Sequence, residues 1–116
     1  LYWKPKAMGG EGWETQDPKE AWDLRVSQHG YNPWNLAGML AFAKAHGKPF
    51  QVDEWGVWGP DAAPFVERMA AFLRANGVRA HTYWNSNAAY PGELPSRDTE
   101  WPATVKAFRQ AFGKAR

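Results

Sequence analysis

Glu54 is the residue whose type and setting carry the most chemistry in this chain. It closes the run Phe50-Gln51-Val52-Asp53, which reads as a short strand, and Trp55-Gly56-Val57-Trp58-Gly59 follows directly and reads as an aromatic, glycine-rich loop before the next helix. In parallel α/β folds the C-terminal ends of strands hold the reacting groups. A carboxylate kept ionised there can attack the anomeric carbon of a sugar and form a glycosyl ester. The bland alternative is a surface carboxylate paired with a lysine. The flanking tryptophans and glycines favour the reactive reading, because that composition suits a sugar-processing site. Strand alternation turns Asp53 the other way, so it is read as structural, bonding a helix start.

Trp84 ends the next strand-like run, Val78 to Trp84, immediately before Asn85. An indole face stacks on the C–H-rich face of a sugar ring, and a neighbouring amide bonds hydroxyls. Tyr2 and Trp3 hold the matching position one strand earlier, where a phenol can donate to the Glu54 carboxylate and keep it charged. Trp13, Trp58 and Tyr90 fall on three loops that converge on the same face as further sugar contacts. Trp22, Trp34 and Trp101 lie on or beside helices and read as core. His29, His46 and His81 have no metal-ligand spacing, and His81, in mid-strand, reads as a buried, hydrogen-bonded histidine. No phosphate-cradling glycine loop and no GxSxG elbow occurs.

These residues need a scaffold of alternating strands and helices. Asp17-Pro18-Lys19-Glu20 opens a helix that runs to about Gln28, and Asn32-Pro33 opens a second, with Leu36, Met39, Leu40 and Ala43 at helical spacing. Gly47 stops that helix. Asp61 can cap a third, with Pro64 in its first turn and Phe65, Met69, Phe72 and Leu73 as its apolar stripe, ended by Asn76-Gly77. Trp101, Val105, Phe108 and Phe112 mark a last amphipathic helix. Strand, helix, strand, helix implies a parallel sheet with right-handed crossovers. Two and a half such units in 116 residues cannot close a barrel, which takes about 250 residues. The expectation is therefore the C-terminal part of one (β/α)8 domain over residues 1–116, about strands 6 to 8 with their helices. A small stand-alone α/β sandwich is the alternative.

Composition narrows the classes. Eight tryptophans are many for a chain of this size, and the net charge of +2 comes from basic residues scattered singly. Without a basic stripe, nucleic acid is not an expected partner. There is no cysteine, and no apolar run approaches the ~20 residues of a membrane span.

The run HGKPFQVDEWGVW, followed by a helix and a strand ending YWN, resembles the strand-7 to strand-8 region of retaining (β/α)8-barrel glycoside hydrolases. It is most similar to glycoside hydrolase family 26, the β-mannanase and related endo-glucanase family. The resemblance implies that Glu54 is the nucleophile, that Trp84 floors the subsite of the cleaved sugar and that Tyr2 bonds the nucleophile. It implies a polysaccharide or oligosaccharide substrate, no cofactor and no metal, and a secreted or periplasmic parent protein. The family's acid/base glutamate belongs to strand 4, which has no counterpart here. Glu11, Glu14, Glu93 and Asp98 lie on loops but lack its context. The acid/base is expected outside this chain, and the remainder of the barrel becomes a partner. A non-catalytic carbohydrate-binding or degenerate barrel that grips glycan with its tryptophans is the competing reading. A small interaction domain whose tryptophans are only core is the third.

Overall fold

The computed structural model describes residues 22, 23, 26, 35–58, 62–88, 92–94 and 97–113, and the backbone of 2 and 3. Among the described residues three strands, β1 (Tyr2–Trp3), β2 (Val52–Val57) and β3 (His81–Tyr83), form an open sheet in the order β1-β2-β3, parallel throughout. Helices α1 (Leu36–Ala45), α2 (Ala63–Ala75) and α3 (Pro102–Phe112) alternate with β2 and β3. The chain is thus a small α/β unit in which helices alternate with parallel strands.

The helix stops lie where the sequence puts them. Gly47 and Gly77 follow α1 and α2 with φ of 61° and 59°, left-handed values at which a Cβ would be strained. The starts differ. α1 begins at Leu36, because Asn35 accepts the Gly38 amide at 2.7 Å; Asn32 and Pro33 lie outside the described residues, as does Asp61. At the start of α2 the Ala62 amide donates instead to Oγ1 of Thr104, fully buried on α3, at 3.1 Å. Along α1, Leu36 and Leu40 are buried while Met39 is exposed, so the apolar stripe is narrower than the spacing suggests.

The core lies between one face of the sheet and the helices. Trp55 and Val57 of β2 join Phe65, Val66, Met69 and Leu73 of α2 and Ala107 of α3. Trp22 closes it, edge-on to Phe65 at 5.4 Å and to Phe72 at 6.1 Å. Trp101 is buried with Leu94 and Val105 in an adjoining cluster. Trp22 and Trp101 are therefore core residues, as their helical context predicts; Trp34 lies outside the described residues.

β2 does not end at Glu54. It runs on through Trp55-Gly56-Val57, so the segment read as an aromatic loop is mostly strand. The physical reason is that Trp55 and Val57, two residues apart, both fit the helix-covered face, and that burial outweighs the low strand propensity of the intervening glycine.

Candidate functional site

β2 is the central strand, and its pairing with β3 is irregular where the carboxylates stand. Val52 pairs with His81 and Trp55 with Tyr83. Three steps along β2 therefore match two along β3, which leaves Asp53 and Glu54 opposite Thr82. This extra residue is a β-bulge, a device that re-aims side chains at sheet edges and beside active sites. Val52 and Trp55 stay in the core while Asp53 and Glu54 are both exposed. Simple alternation would have separated the two carboxylates; the bulge brings both out. Asp53 accepts from Nε2 of Gln51 at 2.6 Å, so its partner is the residue just before its own strand and not a helix start.

The helix side of the pair is filled. Trp55 has no exposed surface and meets Tyr83 in a T-shaped contact at 5.1 Å. Phe108 and Phe112 of α3 pack on its other sides at 6.0 and 5.6 Å. Neighbours of Trp55 and Tyr83 along the strands face away from α3. Glu54, Thr82 and Trp84 therefore share the opposite face. β-type bonding continues past β3, since the Trp84 amide donates to the Trp55 carbonyl at 2.9 Å. Glu54 and Trp84 consequently lie on adjacent parallel strands, with Trp84 two residues beyond Glu54 in register.

Of the other candidates, Tyr2 pairs with Gly56 and Trp3 with Val57. Tyr2 thus holds a register position two residues beyond Glu54 on the neighbouring strand; the side chains of Tyr2 and Trp3 are outside the described part of the chain. Trp58 is half-buried and packs on the Leu94–Trp101–Val105 cluster. Asn85 is exposed, with Oδ1 accepting the Leu94 amide at 3.0 Å. Trp13, Tyr90, Glu11 and Glu14 lie outside the described residues. Glu93 is held by Asn87, whose Nδ2 donates to it at 2.9 Å, and Asp98 pairs with Arg109 at 2.7 Å.

His81 is half-buried and accepts from Nε1–H of Trp55 at Nδ1, 3.2 Å away, with the Phe112 ring at 4.8 Å. Burial lowers its pKa from the usual 6.5. The folded state therefore binds fewer protons than the unfolded one, and the stabilising contribution is complete above about pH 6.5 and lost as pH falls from there through the lowered folded value. Lowering pH from 7.5 to 5.5 is expected to reduce the urea midpoint of the native protein. His81→Gln, which removes the titrating ring, flattens that decline. An identical decline in the variant assigns the pH dependence to other groups.

Burial also pushes the Tyr83 phenol well up, offset in part by the Val57 backbone. Its hydroxyl makes no hydrogen bond of good geometry among the described residues. It borders a cavity of about 230 Å³ with Asn85, Leu94, Val105, Phe108 and Arg109. A second hollow of about 430 Å³ lies on the outer side of α3, against Asp98, Lys106 and Arg109. Neither hollow is lined by Glu54 or Trp84, which stand on the sheet face. Among the described residues no group of three or more His, Cys, Asp or Glu is placed to hold a metal ion, and no helix is long and apolar enough to cross a membrane.

The positions sequence reasoning missed are Thr104, which caps a helix 42 residues away in the chain, and the bulge itself. The bulge had one sequence signal: two adjacent carboxylates between the core-type residues Val52 and Trp55. Comparison of the chain with family models, with curated proteins and with solved structures finds no match.

Proposed function

We propose that this chain is the nucleophile-bearing part of a retaining β-glycanase of the β-mannanase type, built on strands 6 to 8 of a (β/α)8 barrel. One observation carries the reading: Glu54 stands on the central strand of a parallel sheet, bulged out of the core, with Trp84 on the same face of the next strand. That face bears no helix among the described residues, while the other is packed under α2 and α3. A closed barrel has the same two sides, helices outside and functional residues within and above.

Glu54 attacks the anomeric carbon as the glycosidic C–O bond breaks, and the leaving oxygen takes a proton from a second carboxyl group. Water then attacks the same carbon, gives its proton to that second group and releases the Glu54 carboxylate. Retaining chemistry sets the two groups ~5–5.5 Å apart. Glu93 and Asp98 are held by Asn87 and Arg109, and the resemblance that makes Glu54 the nucleophile puts the acid/base on an earlier strand. Trp84 supplies the stacking floor, and Tyr2, one strand over, supplies a hydrogen bond to the nucleophile. The substrate is a polysaccharide or its oligosaccharides.

A 2-deoxy-2-fluoro glycosyl fluoride slows breakdown of the glycosyl ester more than its formation and traps it. Incubated with the full-length protein, it is expected to add one sugar, with peptide mapping placing the adduct in the peptide that contains Glu54. An adduct on any other carboxylate overturns the assignment. Glycan binding with neither turnover nor adduct moves the chain to the non-catalytic class.

A further inference from the structure

We infer that Asn85 is a positioning residue: it fastens the loop after β3 against the pyrrole edge of Trp84 and so fixes the orientation of that indole for a sugar ring. The inference deepens the functional reading and rests on it.

Several contacts converge on this loop. Oδ1 of Asn85 accepts the Leu94 amide at 3.0 Å, and the Gly92 amide donates to the Ser86 carbonyl at 3.1 Å. Leu94 itself is buried with Trp101 and Val105, so the far end of the bond is anchored in the core. Asn87 reinforces the closure: its Nδ2 donates to Glu93, and its Oδ1 accepts the Glu93 amide at 3.2 Å.

The closure brings Gly92 onto Trp84. A Cβ at position 92 would lie 2.9 Å from both Cδ1 of the indole and the Trp84 carbonyl oxygen, closer than side chains tolerate. Gly92 is buried, and so is Nε1 on the same edge of the indole, while Trp84 as a whole is half-exposed. One edge of the ring is therefore gripped by loop backbone. A stacking platform works only if its plane is held, since a freely rotating indole loses side-chain entropy each time it binds. Asn85 uses its oxygen to hold the backbone that holds the ring. Its effect on a sugar thus runs through Trp84 and not through a hydroxyl contact of its own.

The test uses the full-length protein and a soluble glycan substrate. Trp84→Ala is expected to raise KM at least about tenfold. Asn85→Ala, which loses one backbone-holding bond, is expected to raise KM about three- to tenfold with kcat nearly unchanged. Asn85→Asp keeps an acceptor for the Leu94 amide and is expected to restore a near-native KM. In a Trp84→Ala background, Asn85→Ala should add nothing further. Should Trp84→Ala leave KM unchanged, the platform reading falls, and the positioning role with it. Should Trp84→Ala act while Asn85→Ala is silent, or act independently of Trp84, only the positioning role is overturned. If Asn85→Ala is insoluble, Asn85→Ser, whose hydroxyl is one bond too short to reach the Leu94 amide, takes its place: a KM raised about three- to tenfold supports the role, and a native KM overturns it.

Discussion

Replacing Glu54 with Gln in the full-length protein is expected to lower turnover by at least about 10³-fold while leaving glycan affinity within about threefold, or ~0.7 kcal/mol. The asymmetry follows from what the substitution changes. The amide has the shape of the carboxylate and keeps an acceptor, so the bound sugar meets nearly the same surface. It lacks the charge that attacks the anomeric carbon and cannot form the ester. Glu54 is exposed at the bulge, so the replacement leaves the buried residues of β2 in place. Equal losses of binding and turnover would make Glu54 a ligand-positioning group instead. Isothermal titration with an oligosaccharide, run beside steady-state kinetics, separates the two.

The largest structural effect is expected one residue further on. Trp55→Ala removes a side chain with no exposed surface that touches Tyr83, Phe108 and Phe112 and donates to His81. Truncating a buried Trp costs about 3–5 kcal/mol, and His81 loses its donor as well. Trp55→Phe keeps most of the ring and should cost less, which separates packing from the hydrogen bond. Urea unfolding of the full-length protein reads both. A shift in the Ala variant no larger than in the Phe variant would mean that Trp55 is not the keystone of this face. Because Glu54 and Trp55 are neighbours on opposite faces, the pair also states how the site is built: the tryptophan fixes the strand, and the strand aims the glutamate.

Much of this arrangement is legible in the sequence because its signals are local. Gly47 and Gly77 announce helix ends through a backbone conformation that only glycine enters freely. The 101–105–108–112 spacing marks α3, and parallel pairing follows from strand–helix alternation. The less legible features are set at a distance. Trp55 and Val57 look like loop residues beside their glycines until α2 and α3 are there to receive them. Thr104 gives no sign of capping a helix that begins before it. Asn85 beside Trp84 suggests a hydroxyl contact, whereas Leu94 is its partner nine residues on. The bulge at Asp53–Glu54 depends on where β3 pairs, which no short window of sequence specifies.

The central claim is that the Glu54 carboxylate forms the covalent bond to sugar, and chemical rescue tests it most directly. Glu54→Ala in the full-length protein opens space beside the anomeric carbon, where a small anion can take the place of the carboxylate. With an activated aryl β-glycoside and added azide, the variant is expected to regain turnover and to release the α-glycosyl azide, identified by the anomeric proton in its NMR spectrum. Inversion arises because azide attacks from the side that Glu54 occupies. A β-glycosyl azide, or turnover that azide does not change, would contradict the account and place the nucleophile elsewhere.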